Sequence, residues 1–153
     1  MIVKNITHSV YHLDFQLWLE QTSNLLRQRN FDELDLESLL EELDDMGRSD
    51  KRSLENNLIR LLQHLLKWKY QPNKRTNSWK ASITEHSLRL NRAFKQSPSL
   101  KNYFDQVFDE CYGEACLIAS QETDIAVERF PKICPFSTSD ILNPHYLPPS
   151  EIS

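Results

Sequence analysis

The chain has 153 residues, 39% of them apolar and 26% charged, with a formal net charge of -4. That length suits one domain with its own core, without help from disulfides or metal, and the composition excludes a disordered or membranous chain. Only 2 glycines are present, which disfavours tight hairpins and rules out a glycine-rich phosphate cradle.

At the start, residues 1–12 carry no apolar core followed by a small-residue cleavage site, so no signal peptide is read there and a flexible N-terminus is expected. The first helix is predicted from about Leu13 to Arg29. Phe15, Trp18, Leu19, Thr22, Leu25 and Leu26 fall on one stripe, and Asn30 is the expected left-handed residue at its end. The second helix begins after Asp35, a good N-cap, with Glu37 in its first turn. Its stripe is Leu36, Leu39, Leu40, Leu43 and Met46, continued by Leu54, Leu58, Leu61, Leu62 and Leu65. The phase survives Gly47, so one helix with a bend near Gly47 or Ser49 is expected, ending before Pro72.

A third helix opens near Asn77 or Ser78, with Trp79, Ile83, His86, Leu90, Ala93 and Phe94 on one face. Ser97 as N-cap and Pro98 at the first helical position open a fourth. Leu100, Tyr103, Phe104, Val107, Phe108, Cys111, Ala115, Ile118 and Ala119 form its stripe. The very short connection makes the third and fourth helices antiparallel neighbours. The tail from Phe130 holds five prolines among Ile133, Phe136, Ile141, Leu142, Tyr146 and Leu147. Such apolar content predicts a segment packed on the bundle, with Ser137 and Asp140 capping one short helical turn. The expectation is a single all-α domain: an antiparallel bundle of four main helices with a docked Pro-rich C-terminal tail over residues 130–153.

Several strings together carry a family likeness. They are Asp14-Phe15-Gln16-Leu17-Trp18-Leu19-Glu20, Phe31-Asp32-Glu33-Leu34-Asp35-Leu36-Glu37, Asp45-Met46-Gly47-Arg48-Ser49-Asp50-Lys51-Arg52, His64-Leu65-Leu66-Lys67-Trp68-Lys69-Tyr70-Gln71-Pro72, Ser78-Trp79 and Ser97-Pro98-Ser99-Leu100. In this order they resemble the domain-of-unknown-function 29 family, found mostly in cyanobacteria and other bacteria. The resemblance runs to about Pro135. It implies an α-helical bundle and a bacterial cytoplasmic protein, and it implies no activity and no functional residue.

Charge is segregated along the chain. Asp32, Glu33, Asp35, Glu37, Glu41, Glu42, Asp44 and Asp45 are uninterrupted by any cation. Lys67, Lys69, Lys74, Arg75, Lys80, Arg89, Arg92 and Lys95 meet only Glu85. Such runs are ordinarily solvated faces, but opposite fields also steer docking. The favoured functional reading is a non-enzymatic protein-interaction or adaptor module, self-association included. Its candidate surface is Lys67, Lys69, Lys74, Arg75 and Lys80 with Glu37, Glu41, Glu42 and Asp45. The alternative is nucleic-acid association through residues 67–80, where cations alternate with Trp68, Tyr70 and Trp79. Packing of those aromatics in the bundle, and an acidic net charge, weigh against it.

No nucleophile, nucleotide or zinc motif is present, so no catalytic residue and no cofactor are assigned. His64 and His86 fall near buried stripes and read as hydrogen-bonded interior histidines, with a metal-dependent enzyme as the sharper alternative. Glu41, Glu42 and Asp45 have the chemistry of a hard-cation site, but a like-charged exposed face is the simpler account. The polar run Arg48–Arg52 reads as a helix bend, or alternatively as a binding notch. Cys111, Cys116 and Cys134 are odd in number, so they form no self-contained disulfide framework and read as small residues of a reducing compartment. No apolar run approaches ~18 residues, so no membrane span is expected, and the chain is placed in the cytoplasm.

Overall fold

A computed structural model describes residues 10–150, so the expected flexibility of residues 1–12 falls mostly outside the described residues. The chain is all-α, with four main helices: α1 (Phe15–Arg27), α2 (Leu36–Tyr70), α3 (Asn77–Gln96) and α4 (Leu100–Thr123). A short α5 (Thr138–Ile141) lies in the tail, and 3-10 turns cover Phe31–Glu33, Pro72–Lys74 and Val127–Arg129. The backbone groups into two compact units, Met1–Ser49 and Asp50–Ser153.

In the first unit, Asp14 caps α1 by accepting from the Leu17 N–H at 3.1 Å. Trp18 and Thr22, one turn apart, form its buried face. The Tyr11 and Phe15 rings lie 4.7 and 5.8 Å from the Trp18 ring. The helix ends in a Schellman arrangement: Asn30 N–H bonds the Leu25 carbonyl and Arg29 N–H bonds that of Leu26. The left-handed residue is therefore Arg29 (φ 56), one position before the expected Asn30, whose φ is -89. Asp35 caps α2, accepting from the Ser38 N–H at 3.2 Å and its hydroxyl at 2.6 Å.

The early stripe of α2 differs from expectation. Leu36, Leu40, Leu43 and Met46 are each 55–59% exposed, and Phe15 and Leu26 of α1 about 40%. The buried positions near the start of α2 are instead Leu34 and Ser38, and Glu42, half-buried, accepts from the Tyr11 hydroxyl at 2.7 Å. At ~100° per residue, Ser38 and Glu42 face well away from the leucines. A helical period locates an apolar stripe without saying what covers it. Helical backbone continues through Gly47, which keeps a negative φ.

In the second unit, Leu54, Leu58, Leu61, Leu62, Leu65 and Leu66 of α2 are at most 1% exposed, each contributing roughly 1.5–3 kcal/mol of burial. They join Ile83 and Leu90 of α3 and Phe104, Cys111, Tyr112, Ala115, Cys116 and Ala119 of α4 in one core. Thr76 caps α3, accepting from the Trp79 N–H at 3.1 Å. The fourth helix begins two residues later than the Ser97–Pro98 signal suggests. Ser97 spends its N–H closing α3 on the Ala93 carbonyl, while the Ser97 and Pro98 carbonyls take the turn bonds from Leu100 and Lys101. The three-residue connection makes α3 and α4 antiparallel. Asp124, with φ 60, ends α4.

The Pro-rich tail is docked, as its apolar content predicts. Phe130, Phe136 and Ile141 are buried in the same core. Helix α3 holds the tail by its carbonyls: Ser87 hydroxyl to Ile141 at 3.0 Å, Asn91 amide to Leu142 at 2.7 Å and Thr84 hydroxyl to Pro144 at 3.3 Å. From α4, the Tyr112 hydroxyl donates to Pro131 at 2.6 Å. Ser137 caps α5 through the Asp140 N–H.

Candidate functional site

The five candidate cations do not act alike. Lys67, on the last turns of α2, has a side chain only 11% exposed. Its ammonium lies 2.8 Å from Glu122 Oε2 and 4.5 Å from the centre of the Trp79 ring. Gln63 donates to the same Glu122 oxygen at 2.9 Å. Burial works against the Glu122 charge, but these two hydrogen bonds outweigh it and hold the carboxyl below its ordinary range. Arg75 donates from Nε to the Trp68 carbonyl at 2.8 Å, satisfying a backbone acceptor of the α2 C-terminus. Its guanidinium lies 4.7 Å from the Trp68 ring centre. Lys69 is half-buried, 5.9 Å from the Tyr70 ring. Lys74 and Lys80 face solvent.

This geometry turns the basic-aromatic segment inward. Trp79 and Trp68 each offer a ring face to a cation of the same chain, an arrangement worth about 0.5–2 kcal/mol. Two of the five cations and two of the aromatics that suggested base stacking thus serve the unit's own packing. Lys74 and Lys80 remain as outward charges on this segment.

The candidate acids lie in the first unit. Glu37 and Glu41 are exposed, and Asp45 pairs with Arg48. Glu42 is the acceptor of Tyr11; that hydrogen bond, then burial and the neighbouring Glu41, Glu42 and Asp45 charges, push the phenol far above its ordinary range. From 10 to 49 the chain carries ten acids against Arg27, Arg29 and Arg48. The feature missed by the sequence reading is the exposed row Leu36, Leu40, Leu43 and Met46 beside these acids. Its signal was present in the acids themselves: Glu37, Glu41 and Asp44 interleave the leucines, so charge and apolar face share one stretch of helix.

Of the two candidate histidines, His86 is buried and His64 half-buried. His86 Nδ1 lies 2.9 Å from Asn57 Oδ1, and His64 Nδ1 2.8 Å from the Arg60 carbonyl. Burial is the main reason both titrate below the ordinary histidine range. Among the described residues no group of three or more His, Cys, Asp or Glu side chains converges to hold a metal ion. The three cysteines are unpaired. Burial pushes the Cys111 thiol up to about 12 and the Cys134 thiol to about 11, and raises Cys116, so none is an activated nucleophile.

In the second unit, a polar cleft of about 290 Å³ opens between α2 and α3, lined by Asp50, Ser53, Asn57, Arg89, Arg92 and Gln96 among others. Arg89 is engaged by Glu85 at 2.6 Å, and Asn57 is held by His86 and by the Ser53 carbonyl. No helix of the described residues is long and apolar enough to cross a membrane.

Among known proteins, no curated protein and no solved structure matches the chain. A family model matches residues 10–147, nearly the whole described chain. It spans the capped α1, the long α2, the antiparallel α3–α4 pair and the docked tail, and with that match the chain belongs to the family described as Domain of unknown function DUF29.

Proposed function

We propose that the protein is a non-catalytic binding module that docks an α-helix of a partner protein on the exposed apolar face of α2 in the first unit. One observation carries this reading: Leu36, Leu40, Leu43 and Met46 share a face and are each more than half exposed. Scattered surface leucines are ordinary, but a contiguous apolar row bordered by polar residues marks an interaction site. Leu36, Leu40 and Leu43 stand at i, i+4 and i+7, the spacing of the seam by which one helix receives another, with Met46 at its side. The second unit supports the reading by supplying a core that does not depend on this face. Three unpaired cysteines with raised thiol pKa values fit a reducing, cytoplasmic bacterial setting.

A charge-neutral amphipathic peptide with leucines at heptad spacing and glutamines elsewhere provides the test. Titrated onto the full chain, it should slow amide exchange across residues 36–46. The substitutions Leu40→Asp and Leu43→Asp together should abolish that protection. Absence of any protection at saturating peptide would refute the reading.

A further inference from the structure

We infer that the polar cleft of the second unit binds a small zwitterion, its anionic group on Arg92 of α3 and its cationic group on Asp50 of α2. Every residue of this cleft belongs to the second unit, so the inference stands or falls independently of the docking face at residues 36–46.

The cleft follows from the two helix faces that line it. On α2, Asp50, Ser53, Leu54 and Asn57 stand at i, i+3, i+4 and i+7; on α3, Arg89, Arg92, Ala93 and Gln96 repeat that spacing. Ala93 offers only a methyl to the space between them, and about 290 Å³ stays open, the volume of about ten water molecules. That room suits a small molecule and is too little for a partner helix. Leu54, 1% exposed, and half-buried Leu100 supply an apolar base. Asn57 supplies a fixed wall: its amide nitrogen donates to the Ser53 carbonyl at 2.9 Å, and its Oδ1 lies 2.9 Å from His86 Nδ1. A preformed cleft with an apolar base and a few convergent polar groups is the ordinary form of a small-molecule site.

Charge identifies the class of occupant. Three ionised side chains line the cleft: Asp50, Arg89 and Arg92. Arg89 is paired with Glu85 at 2.6 Å, which offsets its charge locally. Arg92 and Asp50 have no ion pair and no hydrogen bond to another side chain among the described residues, and none to each other. One uncompensated charge of each sign therefore borders the same cleft, on different helices, with a gap between them. A simple anion placed there gains Arg92 but meets the repulsion of Asp50, and a simple cation meets the reverse. A molecule carrying both signs on a short methylene stem satisfies both ends and lays its stem over Leu54 and Leu100. That is the chemistry of an amino acid, with its ammonium at the α or the ω position.

Amide chemical shifts of the isotope-labelled full chain, followed at constant ionic strength, make the experiment. L-alanine and γ-aminobutyrate carry both charges at different separations, while butyrate and butylammonium carry one each. At least one zwitterion should shift amides of residues 50–57 and 89–97 saturably, and bind about fivefold tighter than either singly charged probe, the upper end of what one exposed charge pair contributes. Preference between the two zwitterions reads the span from Arg92 to Asp50. Asp50→Asn should lower the preferred zwitterion to the affinity of butyrate without weakening butyrate, and Arg92→Gln should lower it to that of butylammonium. Both side chains are exposed, so neither substitution should disturb folding, and an unchanged Tm checks this.

Equal affinity for zwitterionic and singly charged probes, unaltered by Asp50→Asn, would overturn the assignment of the occupant. Absence of a saturable shift in these two segments with every probe would overturn the site itself. Neither result touches the apolar face of the first unit, which the neutral helical peptide tests separately.

Discussion

Replacing Lys67 by Met separates a packing role from a binding role for the basic segment. Methionine keeps the apolar stem and removes the ammonium. Three contacts are affected: the ion pair to Glu122 at 2.8 Å, the contact with the Trp79 ring at 4.5 Å, and the shared arrangement in which Gln63 also holds Glu122. An ion pair with one partner 42% exposed is worth about 0.5–1 kcal/mol after solvent screening, and the cation-ring contact about 0.5–1 kcal/mol. Lys67→Met should therefore cost ~1–2 kcal/mol, seen as a loss of roughly 3–6 °C in Tm for a chain of this size. Urea unfolding followed by tryptophan fluorescence measures it, with Lys80→Ala as the exposed control, expected within about 0.5 kcal/mol of the parent. In a Trp79→Leu background the cost should shrink, because one of the two partners is already gone. Glu122 is held below its ordinary range, so its contribution is complete above a pKa of ~4.3 and is lost as pH falls through the depressed value. The gap between parent and Lys67→Met should close accordingly as the pH falls below the ordinary carboxylate range. If Lys67→Met is as silent as Lys80→Ala, Lys67 is a free surface cation and the inward reading of the segment is wrong.

Leu62→Ala, at a position with no exposure, should cost ~2–5 kcal/mol, whereas Leu40→Ala on the open face should stay within about 0.5 kcal/mol; paired urea midpoints decide it. His64 and His86 titrate below the ordinary ~6.5 mainly through burial, so protonation favours the unfolded chain. Stability should fall as pH drops from about 6.5 toward their folded values, and His64→Gln/His86→Gln should flatten that slope. Ser87→Ala leaves the Ile141 carbonyl without its donor in a buried place and should cost ~1–3 kcal/mol, with faster amide exchange in the tail. Cys111 and Cys116, both buried, should react with a disulfide reagent near neutral pH far more slowly in the folded chain than in urea; fast labelling of both in the folded chain would contradict their buried placement.

The helices were legible because leucines recur at helical spacing from Leu54 to Leu66 and because Asp35 and Ser137 are cap residues standing where caps are needed. The tail was legible because Phe136 and Ile141 are too apolar to be left in water. Coverage was not legible. Leu40 and Leu61 belong to one periodic row, yet one is 59% exposed and the other fully buried, since periodicity is a property of one helix and burial a property of its neighbours. The basic segment misled for a related reason. Lys67 and Arg75 are written like solvent-facing charges, but aromatic rings and a helix C-terminus gave them partners far closer than any ligand. Ser97 shows the local limit: one residue can end a helix or begin one, and the Ala93 carbonyl claimed its N–H first.

The docked tail also has a consequence for synthesis. Phe130, Phe136 and Ile141 lie late in the chain, yet they sit among leucines translated some eighty residues earlier. At about 5–20 residues per second, a ribosome displays α2, α3 and α4 for seconds before the side chains that cap their shared interior emerge. During that interval the nascent helices present oily surface to the cell, and holding chaperones gain a window that closes only when Ile141 clears the exit tunnel.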